Sequence, residues 1–216
     1  MPALQLIAQD LALSRGARTI LDGVSFTVAA GEALLLTGRN GAGKTTLVRA
    51  LAGFLRPSHG AIRLQGGGEE LELAEQSHYV GHLNGIKPAL TVEENLTFWA
   101  DYLEGGTTSD LVQEAMDRLG LGSLAQIPAG YLSAGQKRRA GLARLLVARR
   151  PVWLLDEPTV SLDAAATAVL AGIVNAHVAG GGLVVAATHL PLGLARPKEL
   201  RLGGAAADAS PREDAG

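Results

Sequence analysis

The chain has 216 residues, of which 47% are hydrophobic and 19% charged, enough for one sizeable domain or two very small ones and for burial of roughly 70% of the unfolded surface. There is no cysteine, which rules out a disulfide scaffold, a thiolate metal site and a cysteine nucleophile. Lys plus Arg is 19 against Asp plus Glu 21, a net charge of −2, so a general nucleic-acid binder is disfavoured. No run of 18 apolar residues occurs, and Met1 to Asp10 lacks the basic start of a secretory signal. The expectation is a soluble cytoplasmic protein that meets a membrane only through partners.

Taken in chain order, Val24 to Val28 and Ala33 to Thr37 read as strands around a turn at Ala29 to Glu32. The second, ALLLT, is apolar throughout and so buried on both faces. A helix is predicted from Lys44 to about Phe54, stopped by Arg56 to Gly60, then a strand from Ala61 to Leu64 and an open loop at Gly66 to Gly68. Val92, Leu96, Trp99 and Leu103 recur at helical spacing behind a Thr91/Glu94 capping box. A second helix spans about Asp110 to Leu119 and ends at Gly120, so residues 83–132 read as an inserted helical subdomain. Further helices are expected over Ala134 to Arg149 and Ala164 to Val178, with buried strands at Val152 to Leu155 and Leu183 to Ala187. Alternating strands and helices imply an α/β fold with a largely parallel sheet covered on both faces. Residues 203–216, rich in Ala, Gly and charge, read as a disordered tail after a single domain over 1–202.

Gly38-Arg39-Asn40-Gly41-Ala42-Gly43-Lys44-Thr45 fits the phosphate-binding pattern G-x-x-x-x-G-K-[ST], after a buried strand and at the start of a helix. Its glycines let backbone N–H groups wrap phosphates at the helix N-terminus. Lys44 would reach the β- and γ-phosphates, Thr45 would place its hydroxyl on Mg²⁺, and Thr46 continues the cradle. The strand Val152 to Leu155 delivers Asp156 and Glu157 at its C-terminal end, where such sheets bind ligands. Asp156 suits a Mg²⁺ partner and Glu157 a base that orients or deprotonates attacking water. Leu132-Ser133-Ala134-Gly135-Gln136 contains an S-x-x-Q capping box for the next helix. Asp163 reads locally as a helix N-cap. The basic residues Lys137, Arg138, Arg139, Arg144, Arg149 and Arg150 read as a solvated helix face with local charge balance.

Together these segments resemble the ATP-binding cassette of ABC transporters over about residues 4 to 202. Leu132 to Gln136 is similar to that family's signature, with Ala134 for its usual second glycine. The resemblance implies a P-loop cassette with a RecA-like core, an antiparallel β part and an inserted helical subdomain. It implies ATP and Mg²⁺ as cofactors, with Ser133, Gly135 and Gln136 facing the γ-phosphate held by the other subunit of a homodimer. By the same likeness Ser161-Leu162-Asp163 is a dimer-contact loop and His189 contacts the γ-phosphate. His82 falls where most cassettes carry a glutamine that senses Mg²⁺, and a neutral imidazole can bond a metal-bound water. No aromatic precedes Leu21 to stack on adenine, so that stacking is weakened or falls to Arg15. The segment Gly81 to Lys87 and the minimal length resemble the cassettes of haem exporters used in cytochrome c maturation. That likeness implies an integral-membrane permease partner at the cytoplasmic face of a bacterial inner membrane. A drug or lipid exporter ATPase is the nearest alternative, and a soluble non-transport ABC ATPase a more distant one.

Overall fold

The computed structural model describes residues 3–68, 70–104 and 109–203. The tail predicted to be disordered lies, from residue 204 onward, outside the described residues.

Strands β3 (Ala33–Thr37), β5 (Ser77–Val80), β6 (Val152–Asp156), β7 (Leu183–Ala187) and β8 (Lys198–Arg201) form a five-stranded sheet in the order β5-β6-β7-β3-β8. Every pairing in it is parallel. A second, antiparallel sheet orders β2 (Arg18–Ala29), β1 (Gln5–Arg15) and β4 (His59–Gln65) as β2-β1-β4. The fold is α/β, with a parallel sheet flanked by helices and a separate antiparallel sheet.

The all-apolar strands are explained by the two layers they separate. Alternate residues of each central strand enter different cores, as the strand period of two requires. Trp153, Leu155, Val184 and Ala186 join the cluster containing α2 (Val92–Glu104), α3 (Ser109–Arg118), α4 (Ala134–Val147) and α5 (Ala164–Ala179). Val152, Leu154, Leu183 and Val185 pack instead against α1 (Lys44–Leu51) and the antiparallel sheet. Each such buried leucine or valine contributes about 1.5–3 kcal/mol through removal from water.

The capping predictions hold: Thr91 and Glu94 exchange reciprocal bonds of 2.8 and 3.1 Å at the start of α2. Helix α1 ends at Leu51, earlier than the expected Phe54, because Gly53 turns the chain at φ +80° and Phe54 N–H donates back to the Arg49 carbonyl at 2.9 Å. Three strands escape the sequence reading. In β1 the buried residues are Leu6 and Ala8, then Leu11 to Leu13, and the phase slips at a bulge where Asp10 takes φ +48°. That slip breaks the alternation. β5 and β8 are four residues long and largely polar.

The basic run on α4 corrects a prediction. Arg138 and Arg144 are buried, not solvated. Arg144 donates to the Tyr79 carbonyl and lies over the Trp99 ring at 5.1 Å, while Arg139 donates to the carbonyls of Leu119 and Gly120 at 2.8 and 2.9 Å. Arg150 donates to the Leu103 carbonyl at 2.7 Å. Helix α4 runs beneath α2 and α3, so nearly its whole circumference is covered and its cations cap carbonyls instead of facing water.

Burial also leaves a testable pH signature. His78 on β5 is 3% exposed and donates Nε2–H to the Ala148 carbonyl at 2.9 Å. Desolvation, opposed by that bond and reinforced by the charges of Arg144, Arg150 and His177, lowers its pKa to about 4. Because the folded value lies below the unfolded one, the unfolded chain binds the extra proton between about pH 6.5 and 4. Stability is complete above that window and falls as pH drops through it. Wild type should lose on the order of 2 kcal/mol more than His78→Gln between pH 7.5 and 5, read from urea midpoints. Equal pH dependence in the two proteins would show that folded His78 takes up its proton as readily as the unfolded chain does.

Candidate functional site

The loop between β3 and α1 owes its shape to two glycines. Gly38 has φ +134°, and a Cβ there would run into the Leu202 carbonyl oxygen. Gly43 has φ +96°, and a Cβ would meet Leu21 Cδ2 at 2.8 Å. Helix α1 then starts at Lys44 with no side-chain cap and no acidic residue in its first turn. Its N–H groups therefore remain available to an anion. Lys44 Nζ donates to the carbonyls of Gly38 at 2.7 Å and Arg39 at 3.2 Å, holding the ammonium inside the loop.

Strand β6 places its carboxylates opposite. Thr45 Oγ1 donates to Asp156 Oδ1 at 3.0 Å, and Asp156 Oδ2 is buried with no hydrogen-bond partner. An orphaned carboxylate oxygen beside a hydroxyl is the hard-oxygen donor set that Mg²⁺ takes. Burial raises the Asp156 pKa, opposed by the Thr45 bond, His82 and Arg138, while Glu157 adds to the rise. Glu157 follows with φ +49°, its N–H donating to the Ala187 carbonyl at 2.7 Å. A non-glycine residue in this region is strained, as groups held for function often are. His189 Nδ1–H donates to Glu157 Oε2 at 2.8 Å, a contact that β6 and β7 create by ending side by side.

Lys44, Thr45, Glu157 and His189 line one cavity of about 590 Å³ at the C-terminal ends of the parallel strands, while Gly38, Arg39, Ala42 and Asp156 do not form its wall. It brings together Asn40, Gly41, Gly43, Lys44, Thr45, Thr46, His82, Glu157 and His189 from the predicted set. Arg15 lines it too, and Arg18, Ile20 and Val160 add walls that sequence reading missed. Two cations and an aliphatic side chain stand where an aromatic was sought. Ser133, Gly135, Gln136 and Asp163 do not line this cavity. Ser133 and Gln136 form the capping box of α4, with bonds of 2.8 and 3.2 Å. Asp163 caps α5 by accepting from Ala166 N–H at 2.7 Å. A second groove, about 480 Å³ beside Trp153 and His177, lies away from all these groups.

A phosphate loop at a bare helix N-terminus, facing two carboxylates and a histidine on a parallel sheet, defines a P-loop nucleotide-binding protein built to hydrolyse its ligand. The sequence pattern of the ABC transporter family matches residues 21–160. Two curated relatives named cytochrome c biogenesis ATP-binding export protein CcmA, from Nitrobacter winogradskyi and Chelativorans sp., are 51% and 52% identical to this chain. The alignments cover 94% and 93% of this chain and 100% and 98% of theirs. A solved structure described as the ATP binding subunit of an ABC transporter has a TM-score of 0.74 at 27% identity, covering 86% of this chain and 80% of its own. The chain belongs to the ABC transporter ATP-binding family and is an ATPase of that class. No helix among the described residues is long and apolar enough to cross a membrane.

Proposed function

We propose that this chain is the ATP-hydrolysing subunit of a haem exporter serving cytochrome c maturation. Identity of about one half along nearly the whole chain to the cytochrome c biogenesis export proteins carries the reading. In this reading two copies form a homodimer. Ser133, Gly135 and Gln136, exposed or half-buried and away from their own cavity, complete the partner's site, and the Ser161 to Asp163 loop lies along the contact. ATP phosphates sit on the loop from Gly38 to Thr46, with Lys44 on the outer phosphates. Thr45 and Asp156 would hold Mg²⁺, and His82 could accept a hydrogen bond from a water bound to it. Bound Mg²⁺ neutralises charge on the phosphates. Glu157 takes or orients the proton of the attacking water, and His189 holds that carboxylate in line.

Residues 83–132 would act as the subdomain that meets an integral-membrane permease. An apolar groove of about 330 Å³ supports this, bounded by Phe54, Tyr79, Leu83 and Trp99 between α2 and the sheet. Tyr102 and Leu83 stand 71% and 87% exposed beside it, which is unusual for large apolar groups unless a partner covers them. In this reading the dimer sits peripherally on the cytoplasmic face of a bacterial inner membrane.

The test replaces the chromosomal gene with a Glu157→Gln version in the source bacterium. Covalently haem-bearing c-type cytochromes should disappear from haem-stained membranes while b-type haem remains. Unchanged c-type cytochromes would overturn the reading and leave an ABC transporter ATPase for another substrate, such as a drug or lipid.

A further inference from the structure

Arg138 is a buried cation without a salt bridge among the described residues, and it lies within the site's walls without lining the nucleotide cavity. A guanidinium has five N–H donors in one plane, and burial without partners for them is costly. Here all five directions are used. Nε donates to the Pro158 carbonyl at 3.0 Å, and Nη2 donates to the carbonyls of Glu157 at 2.7 Å and Asp156 at 3.5 Å. Nη1 donates to the Gly81 carbonyl at 2.7 Å and to Asn84 Oδ1 at 3.2 Å. Three consecutive residues of the catalytic strand's end, and both sides of His82, hang on one side chain. No other described side chain spans these two loops through hydrogen bonds to both.

What it holds is strained. Glu157 sits at φ +49° and Ser161 at φ +67°, so the backbone after β6 needs an external clamp to keep this path. Burial pulls the guanidinium below its ordinary pKa, and the charges of Asp156 and Glu157 oppose that shift. Arg138 lies five residues after Ser133 on α4, so the clamp also joins the helix bearing the signature to the subunit's own carboxylate.

We propose that Arg138 is a positioning residue for hydrolysis: it fixes the backbone of Asp156, Glu157 and Pro158 against the His82 loop and so sets the Glu157 carboxylate in its working place. The inference rests on the reading of Glu157 as the residue that activates water. Nucleotide binding depends on the Gly38 to Thr46 loop, which Arg138 does not touch. Loss of the clamp should therefore lower kcat and spare affinity. A misplacement near 1 Å is enough for roughly 10²-fold in rate.

The test is a double-mutant cycle in the full-length chain, with single-turnover hydrolysis of γ-labelled ATP and fluorescent ATP-analogue binding measured side by side. Arg138→Met should reduce the hydrolysis rate about 10- to 100-fold with Kd changed less than about threefold. Adding it to Glu157→Gln should reduce the rate less than about twofold further, because the group it positions is already disabled. If Arg138→Met does not fold, Arg138→Lys, which keeps the charge and loses the planar fork, runs the same cycle. Losses that multiply in the double mutant, or a Kd that weakens in parallel with the rate, overturn the proposal while leaving Glu157 in its role. Wild-type turnover in Glu157→Gln alone instead overturns the reading of Glu157, and the inference falls with it.

Discussion

Glu157→Gln should bind ATP with an affinity within about threefold of wild type and hydrolyse it roughly 10² to 10⁴ times more slowly. The substitution keeps the side chain's shape and can still accept a hydrogen bond from His189 Nδ1–H, now 2.8 Å from the carboxylate. It removes only the capacity to take a proton from water. The phosphate loop, the Lys44 bonds and the Thr45–Asp156 contact involve other atoms, so the ground-state complex should persist. In the dimer reading, ATP-bound dimers should accumulate, visible by light scattering in the presence of ATP and absent with ADP. Turnover within threefold of wild type would show that another group activates the water.

Lys44→Ala acts at the opposite stage. Lys44 is 7% exposed and its ammonium is held by two loop carbonyls, so it is already oriented before nucleotide arrives. Removing it deletes a charge-assisted contact to phosphate, worth about 1.5–3 kcal/mol, and frees the carbonyls of Gly38 and Arg39. ATP affinity should fall about 10- to 100-fold, measured by fluorescent ATP-analogue binding. Lys44→Arg should recover little, because a planar fork does not fit a space shaped to a single nitrogen. Wild-type affinity in Lys44→Ala would mean that the helix N-terminus and backbone alone hold the phosphates. The pair of variants separates the two halves of the site, one failing in rate and the other in binding.

The phosphate loop was readable because its function depends on backbone. Glycines at 38 and 43 are required by positive φ and by close neighbours, and a requirement of that kind is met only by particular residue types in a fixed spacing. The same holds for the caps at Thr91, Ser133 and Asp163, which are local hydrogen bonds between residues three apart. The apolar strands β3, β6 and β7 were legible because both their faces are covered, leaving no alternation to confuse them.

Other features depend on residues far apart in the chain. β1 hid behind a bulge that moves its buried residues from one parity to the other, and β5 and β8 are strands only because β6 and β3 lie beside them. The His189–Glu157 bond joins residues 32 apart, and the Thr45–Asp156 bond joins residues 111 apart, through the sheet order alone. The cations of α4 show the limit most clearly. A basic residue on a helix faces water by default, since burying its charge is costly. Arg138 and Arg144 are inside because α2 and α3 cover α4 and because the ends of β5 and β6 offer carbonyls at the right distance. By itself the sequence determined the chemistry, a phosphate cradle, a metal-suited aspartate and a base on buried parallel strands, since these rest on local backbone geometry and on residue type. Tertiary structure alone decided which cations are buried and what they hold, because hydrogen bonds between distant loops exist only after the layers have packed.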